Sequence, residues 1–109
     1  NCAAPDEGNM FILSKICRPD QAEQFLRPVV EGHRRTVFAM TEPDGAGSDP
    51  AQLKTEAVFD GRNYVINGLK WLITGANGAK TWIIMARVAP NAHGAPNIQT
   101  GGPTLFLCE

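Results

Sequence analysis

Two stretches of the chain carry residue types at spacings that could do chemistry. The first is Phe38-Ala39-Met40-Thr41-Glu42-Pro43-Asp44-Gly45-Ala46-Gly47-Ser48-Asp49, which reads as a strand that stops at a hydroxyl and opens into a glycine-bearing loop. Glycines let successive backbone N–H groups converge into a concave anion site, and Ser48 adds a hydroxyl donor, so the loop suits phosphate. The second is Asn67-Gly68-Leu69-Lys70-Trp71-Leu72-Ile73-Thr74-Gly75, read as a strand whose final threonine could aim its hydroxyl at a ligand. Each stretch alone has a plainer explanation. Most glycine-rich loops are simply turns, and threonine is an ordinary β-branched strand residue. Nothing marks the nearby acids Glu42, Asp44 and Asp49 as a general base; loop capping and Asx turns account for them.

The elements that must position these stretches change character near residue 36. Before it the chain reads as helical. Met10, Leu13, Ile16 and Cys17 recur at three- and four-residue spacing, which places them on one face of a helix. After a break at Arg18-Pro19, Pro19 suits the first turn of a second helix. Its stripe of Ala22, Phe25, Leu26, Val29 and Val30 runs to Glu31, with Gly32 as the C-cap and Pro28 as a source of a kink or an early stop.

Beyond Gly32 the pattern becomes β. Strands are expected at 36–41, 54–60, 64–66, 69–74, 81–88 and 104–108. Gly61-Arg62-Asn63 turns a hairpin, and Asn67-Gly68 gives a second turn. Residues 42–50 and 89–103 read as loops, the latter a long surface loop. There is no internal repeat. The resulting fold class is α+β, two N-terminal helices followed by a small antiparallel, barrel-like sheet. Two helices are too few for a core of their own, so residues 1–35 read as the end of a helical domain and residues 36–109 as an incomplete β-domain.

Composition narrows the function classes. The 109 residues are 43% hydrophobic and 19% charged, ordinary values for a soluble globular protein with one core. Ten Lys and Arg against eleven Asp and Glu give a net charge of −1, which speaks against nucleic acid as a partner. No apolar run approaches the roughly 20 residues of a membrane-spanning helix. Cys2, Cys17 and Cys108 are scattered, without a C-x-x-C or a histidine cluster, so neither a disulfide framework nor a zinc site is expected. Three reduced thiols point to an intracellular protein. His33 and His93 are isolated, and the chain opens at Asn1 without an initiator Met or a signal peptide, which suggests a piece of something longer.

Taken together, Thr41-Glu42-Pro43, Gly45-Ala46-Gly47-Ser48-Asp49, Asn67-Gly68-x-Lys70 and a hydroxyl four residues after the lysine resemble the signature of the acyl-CoA dehydrogenase family. The likeness extends over nearly the whole chain, from Asn1-Cys2-Ala3-Ala4-Pro5-Asp6-x-Gly8-Asn9-Met10 and the Phe25 to Gly32 segment through the strands to Cys108. Met40-Thr41-Glu42-Pro43-Asp44 and Lys70-Trp71 are most similar to the branch that processes 4-hydroxyacyl-CoA chains.

This resemblance implies a middle β-domain, FAD as cofactor and an α,β-desaturation of an acyl-CoA: a carboxylate takes the α-proton while the β-hydride passes to flavin N5. Carried over position by position, Phe38, Met40 and Thr41 would line the isoalloxazine ring, with Thr41 hydrogen-bonded near its pyrimidine edge. Gly47 and Ser48 would meet the FAD pyrophosphate, and Ser48 would also touch the acyl-CoA substrate. Thr74 would place its hydroxyl by N5, with Leu72 and Ile73 along the ring. The family's catalytic glutamate belongs to a C-terminal helical domain that the chain lacks, so no catalytic residue is assigned. The chain alone is expected to be inactive and to bind FAD weakly or not at all. The resemblance further implies an electron-transfer flavoprotein or similar acceptor, a homo-oligomeric full-length enzyme and a place in fatty-acid β-oxidation. The compartment would be cytoplasmic in a bacterium and mitochondrial or peroxisomal in a eukaryote. Acyl-CoA oxidases and nitroalkane-oxidase-like flavoenzymes are the alternative within the fold, and a non-enzymatic β-barrel binding module is the alternative outside it.

Two departures stand out. Many members have glycine directly after Thr-Glu-Pro, whereas here Asp44 intervenes. Many also have tryptophan two residues before the threonine, where this chain has Leu72 and carries Trp71 one place earlier. If 69–74 is a strand, Trp71 and Leu72 face opposite sides, and Trp71 is expected to pack in the barrel core or against a neighbouring domain.

Overall fold

The computed structural model describes residues 4–44, 47–89 and 101–109. Helix α1 covers Asp6–Ile16, with Asp6 and Glu7 in its first turn and Lys15 in its last, an arrangement that complements the helix dipole. Its buried face is Asp6, Asn9 and Leu13. The expected stripe is therefore only partly right: Leu13 is buried, but Ile16 is 62% exposed. A search for apolar periodicity misplaces a face on which two of three buried positions are polar.

The second helical segment runs without a break through α2 (Pro19–Gln21), a π-helical stretch (Ala22–Leu26) and α3 (Arg27–Val30). Pro19 occupies its first turn, and the Gln21 side chain accepts the Arg18 backbone N–H at 3.1 Å. The widened stretch comes just before Pro28, which has no N–H to offer an α-helical ladder; the Arg27 N–H reaches back five residues to Ala22 O. Pro28 thus accompanies a change of helix type rather than a stop. The end follows the Schellman pattern. Gly32, at φ 79°, donates to Val29 O at 3.0 Å, and His33 donates to Pro28 O at 2.8 Å.

The strands are β1 (Thr36–Ala39), β2 (Glu56–Phe59), β3 (Tyr64–Asn67), β4 (Thr81–Val88) and β5 (Gly102–Cys108). They form one five-stranded sheet in the order β1-β4-β2-β3, with β5 also on β4. β2 and β3 make the expected antiparallel hairpin, Glu56 opposite Asn67 and Phe59 opposite Tyr64. Its turn is held by Asp60 Oδ1, which accepts the N–H groups of Arg62 at 2.8 Å and Asn63 at 2.7 Å. β2 and β4, however, are parallel, with Glu56 opposite Arg87 and Ala57 opposite Val88. The α+β class stands, with a sheet that is mixed and open rather than antiparallel and closed. Between the end of β2 and β4 lie β3 and residues 68–80, enough chain to return in the same direction.

The larger revision concerns 69–74, which is irregular backbone with a bend at Leu72 and no strand. Ranges 45–46 and 90–100, with Gly45, Ala46, His93 and most of the expected 89–103 loop, lie outside the described residues, as does Cys2. Cys17 and Cys108 are free thiols. Among the described residues no helix is long and apolar enough to cross a membrane.

The chain divides into two compact units, one of residues 1–38, 73–83 and 107–109 and one of 39–72 and 84–106. The first buries Leu13, Phe25, Val29, Val37 and Ile83. The second is centred on Ala57, Ala86 and Val88, covered by Tyr64, Ile66 and Phe106. The Tyr64 ring stands 5.1 Å from those of Phe59 and Phe106, tilted against both, an arrangement aromatic pairs favour.

Candidate functional site

In the second unit, Met40 and Thr41 come directly after β1 and are half-buried. The Thr41 carbonyl accepts the backbone N–H of Trp71 at 3.1 Å, so the two sequence stretches meet here. The lysine between them is turned inward. Lys70 Nζ donates to Met40 O and to Glu42 Oε1, each at 2.8 Å, and its side chain is only 11% exposed. Glu42 is buried, and its carboxylate also accepts the backbone N–H groups of Lys54 at 2.7 Å and Thr55 at 3.0 Å. Burial works against its ionisation, yet the Lys70 ammonium and the two N–H donors outweigh it and hold the carboxyl down at about 2.

These contacts explain why 69–74 fails to be a strand. Gly68 lies so close to the chain ahead of β2 that a Cβ there would sit 2.7 Å from Thr55 Cα. Lys70 then spends its side chain on Met40 and Glu42. The next residues are forced outward: Leu72 adopts φ 53°, the left-handed region that a branched side chain rarely visits, and is 80% exposed. Trp71 is 47% exposed and Leu69 is exposed as well. Trp71 is thus not in a barrel core, and without a strand no pleat holds Trp71 and Leu72 to opposite faces.

Glu42 also closes the glycine loop, since its N–H donates to Gly47 O at 3.0 Å and the two residues form an isolated antiparallel bridge. Gly47 has φ 56°, a conformation suited to glycine. Ser48 is exposed beyond that bridge, and no described contact ties it to Thr41 or Leu72. Asp49 caps the short 3-10 turn Pro50–Gln52, accepting the Ala51 N–H and Gln52 Nε2, both at 2.9 Å.

In the first unit, Phe38 is half-buried on β1, and Ile73 and Thr74 lie in the turn that leads toward β4. Ile73 O accepts the Ala76 N–H at 3.2 Å. Gly75, at φ 80°, brings this turn against the start of β1; a Cβ there would stand 3.8 Å from Val37 Cγ1 and 3.9 Å from Thr36 O. Thr74 is exposed, with no hydrogen-bond partner for its hydroxyl among the described residues. The β1 start is itself anchored by Asp6, which accepts the Thr36 N–H at 2.7 Å, Thr36 Oγ1 at 2.8 Å and Arg35 Nε at 3.2 Å. Asn9 Nδ2 adds a bond to Thr36 Oγ1 at 2.9 Å.

Sequence reasoning did not foresee the Lys70–Glu42 pair, nor Asp6 and Asn9 as buried anchors. The available signal for the pair was Lys70 inside the otherwise apolar run from Leu69 to Ile73, since a cation in such a run requires a partner.

The sequence model described as "Acyl-CoA dehydrogenase, middle domain" matches residues 37–109. "Probable acyl-CoA dehydrogenase FadE2" of Mycobacterium tuberculosis is 47% identical over 94 residues, 84% of this chain and 23% of that protein. A solved structure from Mycobacterium abscessus, assigned to the acyl-CoA dehydrogenases, superposes with a TM-score of 0.83 at 39% identity, covering 98% of this chain and 26% of the other. A glutaryl-CoA dehydrogenase from Mycobacterium smegmatis in complex with FADH2 superposes at 0.74 with 29% identity, covering 91% and 22%. The chain spans about a quarter of the length of these relatives. A family match over residues 37–109, a sheet that superposes on solved members and a motif-bearing Thr41 tied to the Lys70-Trp71 segment converge: this chain belongs to the acyl-CoA dehydrogenase family.

Proposed function

We propose that the chain forms one wall of the cofactor and thioester site of a longer FAD-dependent dehydrogenase that oxidises the α,β C–C bond of an acyl-CoA. The observation that carries this reading is the Thr41–Trp71 tie, beside which the chain displays Leu69, Trp71 and Leu72 to the outside. Exposed apolar patches mark interaction or ligand-binding surfaces, and strained backbone clusters at functional sites. The donor set fits FAD. Thr41, Ser48 and Thr74 carry hydroxyls that no described residue engages, and Gly47, at φ 56°, would suit a backbone turn that meets a phosphate.

Held there, FAD would supply the two-electron redox chemistry that a desaturation requires. The chain's residues would bind and orient it. Phe38, Met40, Leu72 and Ile73 would cover the ring and keep water from it, and Thr41 would donate to the pyrimidine edge. Gly47 and Ser48 would hold the pyrophosphate, Ser48 reaching the acyl-CoA as well, and Thr74 would donate a hydrogen bond beside N5. Glu42, held at about 2 by three donors, is unsuited to taking a proton near neutrality, and Asp49 is committed to its own turn. The resemblance supports a carboxylate elsewhere in the full-length protein as the acceptor of the α-proton. Electrons would leave to an electron-transfer flavoprotein or a similar acceptor, from a homo-oligomer. The resemblance of Met40 to Asp44 and of Lys70-Trp71 supports a 4-hydroxyacyl-CoA chain as substrate.

The test is to purify the full-length protein, identify the extracted cofactor and compare Thr74→Val with the parent by anaerobic stopped flow. FAD is expected. Losing one donor aimed at developing charge is expected to slow flavin reduction about 10²–10³-fold. A protein without flavin, or a Thr74→Val variant that reduces as fast as the parent with FAD fully bound, contradicts the assignment.

A further inference from the structure

The Lys70–Glu42 pair is an unusual investment for a small unit. A buried ion pair stabilises weakly, because removing two charges from water offsets most of their attraction; such pairs are best explained where they fix one arrangement among several. Here the pair joins three separate segments. Glu42 grips Lys54 and Thr55 ahead of β2, Lys70 grips Met40 O, and the two grip each other. On either side of these anchors lie Thr41 and Trp71, joined by their backbone hydrogen bond, and then Leu72 in its left-handed conformation. That conformation is unfavourable for leucine and persists only when its surroundings over-determine it. Lys70, two residues earlier, and the Trp71 N–H bond, one residue earlier, are the constraints the structure supplies.

We propose that Lys70 and Glu42 are positioning residues: their buried contact holds Trp71 at Thr41, and with it the exposed Leu72 that follows, in the one arrangement that receives the isoalloxazine ring, without either group exchanging a proton with substrate. The inference rests on the FAD reading above. It predicts that the pair controls how flavin is held, beyond its effect on folding.

The experiment uses the full-length protein, the double variant Glu42→Gln with Lys70→Met, and FAD itself as the probe. The double variant leaves no unpaired buried charge, so it is expected to fold. Its Kd for FAD should rise about ten- to a hundredfold, the span set by losing one charge-assisted hydrogen bond, and the visible circular dichroism of its bound flavin should change. A folded double variant with the parent's affinity and the parent's visible spectrum overturns the inference. Hydrogen exchange in the flavin-free parent gives a second test that needs no variant. The Trp71 amide should be protected to the same degree as the Thr55 amide that Glu42 holds, and exchange at the rate of an exposed loop amide overturns the inference. A parent protein that binds no flavin overturns the proposed function and this inference with it, whereas a flavin-binding parent whose Trp71 amide is unprotected overturns the inference alone.

Discussion

Asp6 in the first unit and Glu42 in the second are both buried carboxylates that tie residues about thirty positions apart, but their charges are answered differently. Asp6 is held by the Thr36 N–H and hydroxyl, and its cation, Arg35, has a side chain 58% exposed. Glu42 faces a lysine that is itself almost sealed from water. Removing the Asp6 charge would leave Arg35 free to turn to solvent. Removing the Glu42 charge would strand Lys70. The first carboxylate works as a hydrogen-bond acceptor for the start of a strand, and the second as half of a closed electrostatic joint.

The largest expected effect comes from that difference. Glu42→Leu leaves Lys70 buried without a counter-ion and should cost about 3–5 kcal/mol, read as a fall in the urea midpoint; a loss under about 1 kcal/mol, the worth of a surface pair, would erase the distinction. Acid should act on the same joint. The folded Glu42 carboxyl lies at about 2, below its ordinary 4.5, so its stabilisation is complete above 4.5 and is lost as pH falls from there toward about 2. An acid titration of stability should show this arm in the parent and lose it in the Glu42→Gln, Lys70→Met double variant.

Smaller effects sharpen the contrast. Gly68→Ala presses a methyl group into Thr55 backbone and should cost about 1–3 kcal/mol, with the second unit's amides losing protection first. Asp6→Asn keeps one acceptor oxygen for Thr36 and should cost only about 1 kcal/mol; an effect equal to Glu42→Leu would show the two carboxylates to be equivalent. Leu72→Gly removes left-handed strain but adds unfolded-chain entropy, and the side chain it deletes is exposed. Its effect on stability should fall within about 0.5 kcal/mol.

What the sequence disclosed depended on whether the cause was local. Gly32 as helix end, the hairpin turned by Gly61-Arg62-Asn63 and β4 at 81–88 arise from residues beside one another, and all three appear in the structure. The parallel pairing of β2 with β4 depends on partners about thirty residues apart, which neither alternation nor turn residues report. Residues 69–74 carry strand propensity, but close packing of Gly68 on Thr55 and the inward turn of Lys70 override it. On α1, polar residues on the buried face displaced the apparent stripe. Of the candidate site, the two motif stretches were legible and do meet at Thr41 and Trp71. The pair that joins them was not, because its partners are 28 positions apart and neither spacing nor turn chemistry reports such a contact.

The most direct measurement is an anaerobic titration of the full-length protein with a saturated acyl-CoA, following flavin absorbance and product together. Bound FAD is expected to bleach as one α,β-unsaturated acyl-CoA forms per flavin reduced, two hydrogens leaving the thioester for each electron pair stored. Flavin that stays oxidised with acyl-CoAs across chain lengths, 4-hydroxyacyl-CoA included, or that bleaches without enoyl product, would contradict it.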